Sequence, residues 1–233
     1  MAKSNIGMSE LEELIISKSS VKQDVYTVTK EVFVDLKEVL AGIASELEAF
    51  TARSDQRISI QLNAPSDFEC QMTLAGDTTI FQMHTNVFMF PPSHMIHRSP
   101  YVMKEPKNGY CGVINVFNFL TDSFRYQRMD DSGYLIARIF INRERHFFVE
   151  GQQQLGYLFN DFNKAELTKK ELKKVLELAL KYILNFELYT PPFSAFKEVK
   201  LSDIEDLTQS LKLQTSKRLG FRFQADEENE VDF

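Results

Sequence analysis

The chain has 233 residues, 43% hydrophobic and 26% charged, a composition that excludes a disordered, collagenous or bilayer-spanning protein and is enough for one substantial core. A net charge of −6 and a pI near 5.4 argue against whole-surface attraction to nucleic acid or an anionic membrane, since both need a positive field. Cys70 and Cys111 fall in strand-like segments without metal or disulfide spacing, and no run of about 18 apolar residues occurs, so free buried thiols, a cytoplasmic location and no membrane partner are expected.

The total charge hides a gradient. Residues 1–56 carry −4, residues 57–163 carry −1, residues 164–225 carry +4 and residues 226–233 carry −5. The expected organisation follows these blocks within one compact domain: an N-terminal helical region, an antiparallel sheet, C-terminal helices and an acidic tail.

From Val21 to Thr51 apolar residues recur at three and four, through Val25, Val28, Val32, Leu36, Val39, Ile43, Leu47 and Phe50. The spacing predicts a single amphipathic helix roughly 45 Å long. That is longer than a strand needs to cover it, so part of the stripe Val25, Val32, Leu36, Val39, Ile43 and Leu47 is expected to meet a second copy of the chain. Ser20 with Gln23 and Thr168 with Glu171 have the spacing of a capping box, in which hydroxyl and carboxylate or amide satisfy end donors reciprocally; Ser202 with Glu205 and Ser9 with Glu12 repeat it.

Between Arg57 and Gly151 the period changes to two. Ile58, Ile60 and Leu62, then Phe68, Cys70, Met72 and Leu74, alternate with polar residues and predict strands with one wet face. Val113 to Leu120 and Tyr134 to Ile141 are apolar on both faces and predict central strands. Turn chemistry at Ala75-Gly76-Asp77, Asn108-Gly109, Asp131-Ser132-Gly133 and Asn142-Arg143-Glu144 makes antiparallel pairing the expectation. Leu172, Val175, Leu176, Ala179, Leu180, Ile183 and Leu184 predict a second long helix stopped by Pro191 and Pro192, and a third runs from Asp203 to about Ser216. The fold class expected is α+β: a meander of five to six strands with helices on one face.

The segment from Pro91 to Tyr110 holds four of the seven prolines together with His94 and His97, and His84 precedes it. A His-x-x-His pair without further spaced ligands is a weak zinc pattern, so neither metal nor cofactor is expected. No nucleophile elbow, Walker loop, Gly-x-Gly-x-x-Gly or His-Glu-x-x-His is present, which leaves an enzyme working around residues 84–111 as the third reading.

A basic and aromatic constellation is more informative: Phe124, Arg125, Tyr126, Arg128, Tyr134 and Arg138. If Asp131-Ser132 were a two-residue hairpin loop, Arg125 would oppose Arg138, and Arg125, Tyr134 and Arg138 would share one face suited to an anion or a protein partner. The last eight residues, Asp226 to Phe233, are an acidic run ending in Phe. They resemble the C-terminal tails of bacterial and phage single-stranded-DNA-binding proteins, which implies that Asp232 and Phe233 dock on a partner. The leading expectation is a non-enzymatic protein-interaction module, an adaptor, chaperone-like factor or assembly component that also self-associates. The alternative is a single-stranded nucleic-acid-binding protein whose tail competes for its basic groove.

Overall fold

The structure, a computed structural model, describes residues 7–151, 153–190, 192–197, 200–202 and 216–217. It is an α+β fold built on an antiparallel sheet. Strands β1 (Ile60–Ser66), β2 (Glu69–Leu74), β3 (Asp77–Met83), β5 (Tyr110–Leu120), β6 (Tyr134–Ile141) and β7 (Phe147–Gly151) follow one another in space as in sequence; the two-residue β4 (Phe88–Met89) adds to β5 beyond the end of β3. Ala75 and Gly76 form the two-residue turn between β2 and β3, and Ala75 takes the positive φ (53°) that this turn demands.

One sheet face is covered by two helices. Helix α2 (Ser20–Ser54) buries Val25, Val32, Phe33, Leu36, Leu40 and Ile43, and α6 (Lys169–Leu184) lies beside it, burying Leu172, Val175, Leu176, Ala179, Leu180 and Ile183. Alternate residues of the strands meet them: Cys70, Met72 and Leu74, Phe81 and Met83, Ile114 and Val116, Ile139 and Ile141, Phe147 and Val149. Each fully buried aliphatic or aromatic side chain here stabilises by about 1.5–3 kcal/mol relative to its exposed state. Thr168 caps α6 as expected, its hydroxyl accepting from the Glu171 amide at 3.3 Å.

Three expectations change. The α2 stripe proposed for a second copy is covered by its own chain: Val25, Val32, Leu36 and Ile43 are buried, while Val39 and Leu47 pack partly buried against the same core. The length argument failed because α6 and the sheet cover the stripe together. Ser20 and Ser9 cap nothing, since the helix runs on through α1 (Met8–Leu14) and a π-turn (Ile15–Ser19) into α2. The segment 91–110 is a chain of helical turns: Met95–Arg98, α3 (Pro100–Lys104) and Pro106–Gly109. Pro100 and Pro106 stand at first-turn positions, where a backbone N–H is not needed.

The helix expected from Asp203 lies outside the described residues apart from Ser216, which pairs with Tyr189 in a short ribbon of β8 (Leu188–Tyr189) and β9 (Ser216–Lys217). Asp226 to Phe233, including Asp232 and Phe233, also lies outside them. Among the described residues no helix is long and apolar enough to cross a membrane.

Candidate functional site

The second face of the sheet is only partly covered. At one end the 90–110 segment folds over it: Phe90, Ile96, Tyr101 and Val102 pack on Cys111, Val113, Phe140, Phe148 and Phe162. The histidines fasten this cover. His94 stacks on Phe90 (4.4 Å between centroids), accepts from the Ile96 amide and lies 3.9 Å from Glu150; His97 Nε2 donates to the Phe90 carbonyl at 3.0 Å. His84 Nδ1 accepts from the Asn86 amide in the bend between β3 and β4. His146 donates to the Phe162 carbonyl and stacks on Tyr101. Among the described residues no three of His, Cys, Asp and Glu gather as a metal-holding group.

One buried amide ties the cover to the sheet. Asn142 Oδ1 accepts from the amides of Glu144 and His146, both at 2.9 Å, and Nδ2 donates to Tyr101 Oη (2.9 Å) and the Asn108 carbonyl (3.2 Å). Tyr101 in turn donates to Glu144 Oε2 at 2.5 Å. Burial, first, and this carboxylate, second, raise the Tyr101 phenol far above its ordinary range, so it stays a neutral donor. Every polar atom of the Asn142 side chain is used, which is the pattern of a structural node.

At the opposite end α4 (Thr121–Arg125) follows β5, and Phe124 sets its ring edge on Phe119 (5.8 Å, 80°). Between the cover and α4 the face is open among the described residues. The registers put Gln71 and Thr73 of β2, Ile80 and Gln82 of β3, Asn115, Phe117 and Phe119 of β5, and Leu135 and Arg138 of β6 on it. Ile80, Phe117 and Phe119 are half-buried and Leu135 is 48% exposed. Phe124, Tyr126 and Met129 extend the apolar surface past the sheet. With strands about 4.8 Å apart and same-face rows about 6.7 Å apart, the open area is roughly 14 Å across four strands and 13 Å along them.

The arginines are not arranged as the hairpin register required. Thr121–Arg125 is helical, so Arg125 leaves the sheet and faces Asp122 (3.5 Å) on its own helix. Arg138 opposes Asn115 and Glu150, pairs with Glu150 and lies over the Phe140 ring at 5.4 Å. The Arg128 side chain is 7% exposed and bonds Asp131 at 2.8 Å. Tyr134 is on the other face, packed partly buried against the main core, because a bulge at Val116/Phe117 breaks the alternation between residues 134 and 138. Arg138 and Phe124 thus come to the open surface, and Tyr134 and Arg128 do not. The apolar centre Ile80, Phe117 and Leu135 was missed; the run Val113–Leu120, apolar on both faces, was its signal in the sequence.

A trough of about 900 Å³ lies between α5 (Gln154–Leu158) and α6, with Leu158 and Leu178 in its walls and Lys164, Lys174, Asp161 and Glu171 around it. Its open shape and mixed charge define no single ligand chemistry. Compared with protein-family models, curated proteins and solved structures, the chain shows no significant match.

Proposed function

We propose that the protein is a non-enzymatic interaction module whose open sheet face receives a segment of another protein. The observation that carries this reading is the half-exposed centre of Ile80, Phe117, Phe119 and Leu135 between two raised walls, with its rim carboxylates and guanidinium already paired. A sheet buries apolar surface under a helix or another sheet. Walls at both strand ends obstruct a flat second sheet, whereas a helix about 10–12 Å in diameter fits a channel about 13 Å wide. The favoured occupant is an amphipathic helix of a protein partner, with an apolar stripe and no strong net charge. Aromatic side chains with an arginine at the rim are the residue types that dominate such interfaces.

The nucleic-acid reading draws less support. A single-strand groove relies on unpaired basic side chains beside stacking rings, and Arg125, Arg128 and Arg138 each have a carboxylate partner. The test is affinity capture with the wild-type chain against Phe117→Arg/Leu135→Arg and against Lys170→Glu on α6, followed by binding of the purified captured protein. The reading requires direct binding that falls at least tenfold in the face variant and is kept by the α6 variant. Equal binding by all three chains would remove the sheet face from the interface.

A further inference from the structure

We propose that the chain's own residues 218–233 lie across the open sheet face, from which a partner must displace them. Leu219, Phe221 and Phe223 cover the apolar centre, and the acids that follow reach the cover. The regulation rests on the interaction reading above; the docking does not. Residues 218–233 lie outside the described ones, and their point of departure, their pattern and their charge lead to this face.

The segment sets out beside the α4 end of the sheet. Lys217 pairs with Leu188, and two residues before Leu188 the Phe186 ring stands 5.9 Å from that of Tyr134, the neighbour of Leu135. Summed through these steps, Lys217 is within about 30 Å of Leu135, and the sixteen residues after it extend to about 50 Å.

The order of chemistry is the same along the segment and along the surface. Leu219, Phe221 and Phe223 alternate with Gly220, Arg222 and Gln224, so an extended chain carries the three on one side, about 6.7 Å apart. The face offers rows at that spacing: Phe119, then Phe117 with Ile80 and Leu135 beside it, then Asn115. Beyond Asn115 the cover exposes Arg98, Lys104 and Lys107, none of them in an ion pair among the described residues. Glu105 lies between them and accepts from the Lys107 amide. Apolar side chains are thus followed by cations on the surface, as Phe223 is followed by Asp226, Glu227, Glu228 and Glu230 in the segment. Tethering favours this occupant over a separate chain: a linked segment sees its site at roughly millimolar concentration, so a weak contact is populated.

The chain has no tryptophan, so Phe223→Trp in the full chain reports on the apolar half and Phe233→Trp on the acidic half. At low salt, acrylamide should quench the Phe223→Trp reporter about threefold less than in urea, equally at about 1 and about 100 µM protein, as expected of a ring shielded on its own chain. Phe117→Arg/Leu135→Arg should restore free quenching. Shielding of the Phe233→Trp reporter should vanish at about 0.5 M salt, where charges are screened within a few ångströms, and on Arg98→Glu/Lys104→Glu/Lys107→Glu. Those three side chains are exposed, so the fold is kept. Either reporter quenched at low salt as freely as in urea, shielding that grows with protein concentration, or shielding kept by the matching face or cover variant would each overturn the proposal. No partner enters the measurement. Free quenching beside face-dependent capture would remove the docking alone, and face-dependent shielding beside face-independent capture would remove the interaction reading alone.

Discussion

Thr29 of α2 stands in the space that a side chain at Gly112 of β5 would need. A Cβ added there would lie 2.9 Å from Thr29 Cβ and Cγ2 and closer still to Oγ1. Thr29 is itself fully buried, and its hydroxyl returns to the Val25 carbonyl at 2.7 Å. The helix can approach the sheet this closely only because β5 has no side chain at that point. Gly112→Ala should therefore destabilise the fold by about 1–3 kcal/mol, as overpacking of a dense core does. Urea unfolding with Thr29→Ala in the same chain should recover part of the loss; a fully stable Gly112→Ala would mean that the helix is not seated this tightly.

Asn142 is the second point at which one residue determines a local arrangement. Asn142→Leu removes four hydrogen bonds and leaves the amides of Glu144 and His146 and the Asn108 carbonyl to find other partners. The expected cost is about 2–4 kcal/mol, since unsatisfied buried groups lose their full hydration. Hydrogen exchange should speed up at residues 144 and 146 and in the 99–110 cover, and leave α6 protected. Loss confined to α6 would contradict the role given to Asn142.

The elements that read correctly from the sequence have strong periodicity over many residues. The α2 and α6 stripes, the alternating Cys70, Met72 and Leu74, and the Ala75-Gly76 turn all carried their geometry in local pattern. What was not legible depended on one-residue events. Phe124-Arg125-Tyr126 alternates like a strand, yet Thr121–Arg125 closes a short helix, and the extra residue of the β6 bulge turns Tyr134 away from Arg138. The π-turn likewise conceals a rotation that no hydrophobic count reveals. These events decide which side chains share a surface, so the candidate site was harder to read than the fold.

Arg145 separates backbone from side-chain effects. It has φ of 62° and its Nη2 bonds Asp35 Oδ2 at 2.6 Å, joining the β6–β7 turn to α2. Arg145→Ala and Arg145→Gly both lose the ion pair, but glycine accepts the left-handed backbone without the Cβ clash. Arg145→Gly should be more stable than Arg145→Ala by about 1 kcal/mol in thermal or urea unfolding. Equal stability of the two would show that the turn relaxes out of the left-handed region.

The thiols give a pH prediction. Burial pushes Cys70 from 9.0 up to about 11, and Cys111 is raised further by burial alone. The unfolded chain thus releases thiol protons before the native chain does, so stability falls as pH rises from 9.0 toward about 11. At pH 8 neither thiol should react with an aromatic disulfide reagent until denaturant is added, when both should react. Rapid native labelling would show that β2 or β5 opens locally.

The last prediction separates the two binding readings by charge. Arg125, Arg128 and Arg138 are paired with Asp122, Asp131 and Glu150, so these arginines do not offer, among the described residues near α4 and the open sheet face, the unpaired positive charge that releases counterions from a phosphate backbone. Exposed pairs are worth about 0–1 kcal/mol and could exchange for phosphate, which makes the pairing a matter to measure. A chain lacking Asp226–Phe233 removes five further acids, the strongest intramolecular competitor that the sequence offers. Fluorescence anisotropy with a labelled single-stranded oligonucleotide at low and moderate salt should still give no binding tighter than about 100 µM for either chain, the weak limit of non-specific association. Glu150→Gln, which leaves Arg138 without its partner, should be the first variant to gain salt-sensitive binding. Micromolar, steeply salt-dependent binding by the truncated chain, reduced by Arg125→Ala/Arg138→Ala, would instead favour the nucleic-acid reading over the protein-docking one.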